Sequence, residues 1–317
     1  MSATLVLILR RLGSAAVTLL LVSMVVFAIS SLLPGDAASE TLGQSATPEA
    51  VAALRAQLGL NEPAHLRYLH WLAGLVTGDP GRSMANNLPV REIIAGRLPK
   101  SLLLAGLTAA VAVPVALAIG IFSAMYRGSR LDRALNVMTL SMVAAPEFLV
   151  ATVAVLVFAV KLRWLPSLTL APEHPTLGEL LRAYALPVMT LCFVIIAQMA
   201  RMTRAAVIDQ LTQPYVEMAA LKGVRPARVA LIHALPNAIG PIVNAVALSL
   251  SYLLGGAIIV ETIFNYPGIA SLMVDAVTSR DMPLLQACAM IFCTAYLLLV
   301  LVADVCAILA NPRLRHP

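Results

Sequence analysis

The chain has 317 residues, of which 60% are hydrophobic and only 12% are charged. A soluble domain carries roughly 25% charged residues, so this composition excludes an ordinary soluble protein and indicates a polytopic protein of the lipid bilayer. The formal net charge is +6. The basic residues cluster at the ends of apolar runs and form no basic stripe, which argues against nucleic acid as a partner.

Six segments are apolar and long enough to cross a bilayer, which takes about 20 residues. They are residues 11–33, 101–125, 135–160, 184–203, 237–260 and 285–310. The first follows Arg10 and Arg11 and is longer than the apolar part of a signal peptide, so we expect an uncleaved anchor. The sequence therefore predicts an all-α fold, a polytopic membrane helix bundle with six transmembrane helices.

Residues 34–100, between the first two spans, are polar and too many for a tight turn. They contain six acidic and six basic residues, together with Trp71 and apolar positions at helical spacing. Balanced charge and this periodicity predict a small folded subdomain and not a linker.

The orientation follows from the loops that carry excess basic residues. These are the N-terminal segment, the loop with Arg127, Arg130 and Arg133, the loop at 204–236 and the tail at 311–317. The positive-inside rule predicts that both termini are cytoplasmic and that the 34–100 subdomain is external. The predicted organisation is a first span within 1–33, the external subdomain at 34–100, a membrane core at 101–310 and a cytoplasmic tail at 311–317.

Two acidic residues lie inside predicted spans, where a charge costs about 2.5–3.5 kcal/mol on insertion scales. Glu147 follows Pro146 within the third span and either lines a path through the bundle or pairs with a polar group of this chain or of another subunit. Asp304 lies nearer the predicted cytoplasmic end of the sixth span, and we expect it to extend towards Arg313.

Motifs for enzymatic chemistry are absent from the sequence. There is no HExxH, no GxSxG and no pair of aspartates in matching spans, so no catalytic residue is predicted. The cysteines lie in apolar runs without CxxC spacing, and His233 has no clustered ligands, so no metal site is predicted. The chain is predicted not to be an enzyme.

The segment from Pro214 to Pro236 is polar and basic and lies between two apolar spans. Pro214 suits the first turn of a helix and Glu217 its positive end. Gly223 can adopt the left-handed conformation that ends a helix, after which Pro226 can begin the next one. This order predicts a short docking helix, a break and a second helix, although a solvated loop without a partner remains the alternative.

This segment resembles the EAA signature of ABC importer permeases: Glu217-Met218-Ala219, then Gly223, then Leu235-Pro236. Met218 replaces the usual first Ala, which leaves the small side chains of Ala219 and Ala220 in place. Further motifs of the family follow in order along nearly the whole chain: Leu33-Pro34-Gly35-Asp36, Gly78-Asp79-Pro80-Gly81-Arg82-Ser83, Glu261-Thr262-Ile263-Phe264 and Arg280-Asp281-Met282-Pro283. Together they are similar to the B-type membrane subunit of dipeptide, oligopeptide and nickel importers.

The resemblance implies a bacterial inner-membrane permease that works with a second homologous permease, two cytoplasmic ABC ATPases and an extracytoplasmic substrate-binding protein. It also implies which residues couple the chain to the ATPase: Tyr215, Glu217, Ala219, Ala220, Lys222, Gly223, His233 and Pro236. Spans four and five, joined through Arg204 and Pro236, would then move together.

The sequence agrees with the expectation that ATP is bound by the partner subunits. The chain has no GxxxxGK(S/T) phosphate loop, so we expect ATP and Mg²⁺ in the partner ATPases and no cofactor in this chain. The substrate stays open among dipeptides, oligopeptides, nickel complexes, glutathione and opines. The alternative function is a stand-alone secondary transporter, from which ATP dependence would distinguish an importer.

Overall fold

The computed structural model describes residues 3–32, 47–57, 61–168 and 176–310. The described residues form α-helices, in chain order α1 Ala3–Leu32, α2 Pro48–Gln57, α3 Ala64–Thr77, α4 Val90–Met125, α5 Arg130–Ala144, α6 Glu147–Ala154, α7 Leu177–Leu211, α8 Pro214–Leu221, α9 Pro226–Arg228, α10 Leu235–Ile263, α11 Ile269–Thr278 and α12 Met282–Ala310. Two π-helical segments occur among them: Val155–Lys161 extends α6, and Val229–Ala234 joins α9 to α10. The predicted tail at 311–317 lies outside the described residues.

Among the described residues, five helices are long and apolar enough to cross a membrane: α1, α4, α7, α12 and the continuous stretch Pro226–Ile263. The pair α5 and α6 passes the same test only as one unit, so these residues contain five spans, or six when the bent pair is counted as one span. The prediction of an all-α polytopic membrane helix bundle is therefore confirmed. The orientation of the termini stays a prediction.

The third predicted span is not the straight helix that an apolar run of 135–160 suggests. It breaks between α5 and α6, which are bent by 96° relative to each other. Ala145 and Pro146 are both extended, with ψ of 126° and 134°. The pyrrolidine ring excludes the helical conformation for the preceding residue, and Pro lacks the N–H that would continue the helical hydrogen bonds. Pro146 thus explains the position of the break.

The described residues separate into two compact units, which are treated one at a time. The first is built around Leu102–Tyr266, with the two ends of the chain. Within it, α7 is the central helix and contacts α5, α6 and α10. Small buried side chains such as Ala112, Ala151 and Ala200 line its core. Small residues allow membrane helices to approach closely, which is how packing replaces the hydrophobic effect in lipid.

The second unit comprises Ser14–Ser101 and Pro267–Ala295. Within it, Asp281 is fully buried just before α12. Ser83 donates a short hydrogen bond to its carboxylate, and the backbone N–H of Met84 donates another at 3.1 Å. This single carboxylate therefore fixes the turn that precedes α4 to the start of α12.

Trp71, which the sequence places in a folded subdomain, packs within this second unit. Its ring lies 5.8 Å from the ring of Phe27 in α1, and the Tyr68 ring lies 5.5 Å from the same phenylalanine. Tyr68 is also hydrogen-bonded to Ser23 at 2.9 Å. Helix α3 is thus attached to α1 by an aromatic cluster.

Helix α4 approaches α7 closely at Gly120. A Cβ atom at this position would lie 2.6 Å from the carbonyl oxygen of Ala200 and 2.7 Å from Cβ of Thr203. Any side chain here has to separate the two helices, because the nearest atom is backbone. Gly106, in the same helix, has no atom within 4 Å of its Cβ position and serves as a matched control.

We expect Gly120→Val to destabilise the detergent-solubilised protein by about 1–3 kcal/mol, the usual cost of overpacking a core. Gly106→Val changes helix propensity in the same way but meets open space, so its unfolding midpoint should stay near that of the wild type. Thermal unfolding of both variants in the same detergent measures the difference. Equal losses at the two positions would show that propensity, and not the contact between α4 and α7, sets the requirement for glycine.

Candidate coupling site

Helix α8 is the predicted docking helix, and its first turn follows from the sequence around Pro214. Gln213 precedes the helix in an extended conformation, and Pro214 occupies the first turn. A proline costs little there because the first N–H groups of a helix have no partner within it. The exposed Glu217 lies in the same turn, where its negative charge is favoured by the helix dipole.

The last turn of α8 ends in a Schellman motif at Gly223. The N–H of Gly223 donates to the carbonyl of Ala220 at 2.9 Å, and the N–H of Val224 donates to that of Ala219 at 3.3 Å. Gly223 has φ of +81°, in the left-handed region, while the space around its Cβ position is empty. The requirement for glycine is therefore one of backbone conformation and not of room.

One buried side chain anchors α8 to the rest of its unit. Val216 is 2% exposed and packs with Val229 and Ala234 of the following helix. In the same first turn, the hydroxyl of Tyr215 donates to Oε1 of Gln210 in α7 at 3.0 Å. The helix is thus connected to both of its neighbours in sequence by one apolar and one polar contact.

The remaining surface of α8 is exposed and largely apolar. Met218 and Leu221 are 54% and 75% exposed, and Tyr215 is 45% exposed. Glu217, Ala220 and Lys222 are exposed around them. Three large apolar side chains on one eight-residue helix form a surface that suits contact with another molecule better than contact with water.

His233 and Pro236 lie beyond α8, on the helix that leads into the fifth span. His233 is half-buried in the π-helical segment, and its carbonyl accepts a hydrogen bond from Nδ2 of Asn237 at 3.1 Å. Pro236 is exposed in the first turn of α10. The structure therefore brings the predicted residues between 215 and 223 together and places these two on the adjoining helix.

Glu147 occupies the first position of α6, directly after the bend. Its carboxylate rests against α10: a Cβ atom on Gly256 would lie only 3.0 Å from Oε2 and 3.3 Å from Oε1. The side chain is half-buried, and among the described residues it has neither a hydrogen-bond donor nor a cation as partner. Pairing within this chain, one of the predicted alternatives, is therefore not seen in the part that the structure describes.

Asp304 has a different partner from the predicted one. Its carboxylate forms an ion pair with Nη1 of Arg11 in α1 at 3.0 Å. Arg313, towards which the sequence predicted it to extend, lies outside the described residues. The two residues of the pair are separated by almost the whole chain, so nothing in the local sequence indicates the contact.

Arg204, which the sequence analysis places at the connection between spans four and five, has partners that the sequence did not predict. Arg204 forms an ion pair with Asp132 in α5 and a hydrogen bond with Ser123 in α4. The sequence feature that could have indicated this ion pair is Asp132, an acid placed among three arginines in a short loop.

An apolar cavity of about 420 Å³ lies between α6 and α7. Its walls are formed mainly by aliphatic and aromatic side chains, among them Leu149, Val153, Phe158, Met189 and Phe193. Such walls offer little to a charged solute. The cavity is therefore not a good candidate for a polar translocation path.

Two family models match the chain. The model described as the inner membrane component of binding-protein-dependent transport systems matches residues 116–316, and the N-terminal model of such membrane components matches residues 4–105. Permeases of this kind work with ATPase and substrate-binding subunits and are not enzymes themselves. The family and the apolar helices together establish a multi-pass inner membrane protein.

Curated relatives match nearly the whole chain. A probable peptide ABC transporter permease of Sinorhizobium fredii is 34% identical over 309 residues, which is 98% of this chain and 99% of the relative. The glutathione transport system permease proteins GsiC of Salmonella typhimurium and Escherichia coli are each 36% identical over 309 residues, 98% of both chains. The chain therefore belongs to the family of inner membrane components of binding-protein-dependent transport systems, as a transmembrane permease subunit of an ABC importer.

Proposed function

We propose that α8 is the element through which this permease receives movement from an ATPase subunit. The observation that supports this most directly is that α8 has a defined beginning and end but only one buried residue. Its exposed side chains include Tyr215, Met218 and Leu221, with the charged Glu217 and Lys222 beside them. A helix of this kind suits insertion into a groove of a soluble partner.

The connections of α8 determine where a displacement goes. Only two residues separate it from the end of α7 at Leu211, and the Schellman turn leads directly into Pro226–Ile263. Both neighbours are long apolar helices. A push on α8 is therefore applied to two spans at once, which is a way to switch a packed bundle between discrete states.

The assembly that we infer contains this chain, a second homologous permease, two ABC ATPases and an external substrate-binding protein. ATP and Mg²⁺ are bound by the ATPases, in agreement with the missing phosphate loop in this sequence. The basic loops, including 204–236, face the cytoplasm, which places α8 on the side where ATP is available. Residues 34–100 lie on the opposite side, where a binding protein delivers its solute.

The proposed solute is a small peptide or a peptide-like compound such as glutathione. The support comes from the relatives, which are named as peptide and glutathione permeases and match the whole length of this chain. Both classes of solute carry an ammonium group and a carboxylate. Which of these solutes is transported depends on the external substrate-binding protein.

Glu147 is our candidate for a residue on the translocation path. Its half-buried carboxylate lies at the bend between α5 and α6 without a partner among the described residues. Irregular backbone at membrane depth is tolerated where it is buried in protein or faces a water-filled cavity. An acid in such a place is suited to meet the ammonium group of a passing peptide.

Affinity purification tests the proposed assembly. The tagged chain, expressed with its neighbouring genes and extracted in a mild detergent, should retain a second permease and two ABC ATPases in stable ratio. The purified complex should hydrolyse ATP and should do so faster when the external binding protein is added. A homogeneous chain that transports solute along an ion gradient without any ATPase would contradict the importer.

The end of α8 gives a sharper test of coupling. Gly223→Val forces a β-branched residue into the left-handed region, at a cost of roughly 1–2 kcal/mol, and should disrupt the last turn of the helix. Gly223→Asn is the matched control, since Asn adopts this conformation readily. We expect the Val variant to lose most uptake of radiolabelled glutathione or trialanine per ATP hydrolysed, while the Asn variant keeps it.

The ratio of uptake to hydrolysis is the decisive quantity in this test. A general folding defect would lower both, together with the amount of complex recovered. Equal ratios in the Val and Asn variants would show that the conformation of Gly223 is not needed for coupling.

For the path, we expect Glu147→Gln to weaken uptake of an ammonium-bearing peptide about tenfold, the usual worth of one charge-assisted hydrogen bond. ATP hydrolysis should change little. Glu179→Gln is the matched control, because Glu179 is also an acid in the first turn of a helix but is fully exposed. Unchanged uptake kinetics in the Glu147 variant would remove this residue from the path.

A further inference from the structure

An ion pair between the half-buried Arg204 and the buried Asp132 joins α5 to α7 in the unit built around Leu102–Tyr266. Arg204 donates from Nε to Oδ1 of Asp132 at 2.8 Å and from Nη2 to Oδ2 at 2.9 Å. The side chains are only 25% and 6% exposed, respectively. Two parallel hydrogen bonds of this kind fix the orientation of both groups as well as their distance.

The carboxylate of Asp132 accepts three further hydrogen bonds from neighbouring groups. The donors are Oγ of Ser123 at 2.5 Å, Nδ2 of Asn136 at 2.7 Å and the backbone N–H of Gly128 at 2.9 Å. Nε of Arg204 also donates to Ser123 at 3.1 Å. The end of α4, the turn after it, the start of α5 and the end of α7 therefore meet at one carboxylate.

Stability alone is a weak reason for such a pair. Removing two charges from water costs several kcal/mol, and replacing a buried ion pair by apolar residues is often neutral or stabilising. Close packing is already present around the pair: α5 contacts α7 directly, and Gly120 of α4 lies against Ala200 and Thr203 of α7. What the ion pair adds to this packing is a rigid, directional connection between α7 and α5.

The position of the ion pair along each helix indicates which elements it connects. Arg204 lies about two turns before the end of α7, and α8 begins at Pro214 immediately afterwards. Asp132 lies in the first turn of α5, which runs to the 96° bend before Glu147. The pair is therefore located between the docking helix and the bend.

We propose that the Asp132–Arg204 ion pair is the joint through which movement of α8 reaches α5 and changes the bend between α5 and α6. The pair is a positioning element: it touches neither nucleotide nor solute and acts through the helices that it connects. The proposal rests on the proposed function in one respect, namely that α8 receives the movement of an ATPase.

Spin labels on the two sides of the bend test this directly. Val137 in α5 and Val153 in α6 are exposed and lie on either side of it. The labels are introduced in a chain whose cysteines are replaced by alanine and which is purified with its permease and ATPase partners. The distance distribution between them is measured with and without ATP, in an ATPase variant that binds but does not hydrolyse the nucleotide.

Three variants distinguish an ion pair that transmits movement from one that only stabilises the fold. Arg204→Gln removes the pair, Arg204→Lys keeps the charge with a single donor group, and Arg201→Gln removes an exposed arginine one turn away. We expect ATP to shift the distance in the wild type and in Arg201→Gln. In Arg204→Gln the shift should be lost while hydrolysis in the active complex stays within about twofold, and Arg204→Lys should restore part of it.

Three results would overturn the proposal. The first is that ATP does not change the label distance in the wild type, and the second is that Arg204→Gln shows the same change as the wild type. The third is that both Arg204 variants lose the distance change, the assembly and ATP hydrolysis together, which is the result expected if the pair only stabilises the fold. Failure of the proposed function is distinguishable from these, because it appears earlier as a chain that recovers no ATPase.

Discussion

The constraint on which this structure depends is that the backbone of a span has to satisfy its own polar groups, because lipid offers no hydrogen bonds. Long helices meet this requirement almost everywhere, and the exceptions are therefore informative. At the bend before Glu147, α6 restarts at once, with the N–H groups of Leu149 and Val150 bonded to the carbonyl of Pro146. The break is thus confined to two residues, and it leaves a charged side chain at its edge.

Close packing against α7 also makes possible the hydrogen bonds and the ion pair between neighbouring helices. Small residues bring the neighbouring helices near enough for short side chains to reach across, as Ser123 and Asp132 do to Arg204. In lipid, helix association relies on packing of this kind, because burying apolar surface between helices gains little. A rigid contact at Gly120 and a bidentate ion pair nearby therefore act together to hold α4, α5 and α7 in register.

The sequence predicted best what local chemistry decides. The helical spans follow from uninterrupted apolar runs, and the ends of α8 follow from Pro214 and Gly223, whose conformational preferences act within a few residues. The 96° angle at Pro146 could not be predicted, because proline marks where a helix breaks while contacts with α7 and α10 set its direction. The partners of Arg204 and Asp304 depend on residues far away in sequence, so composition shows the charges but not the pairs.

The short length of α8 explains why its ends matter more than its interior. An isolated helix of fewer than about 12–15 residues is marginal in water, and α8 has eight residues with Val216 alone buried. Its order comes from the proline start, the Schellman turn at Gly223 and the Tyr215–Gln210 hydrogen bond. A helix that is preformed in this way loses little conformational entropy on docking. In the proposed coupling role, the same end contacts would carry a displacement of its exposed surface to α7 and α10.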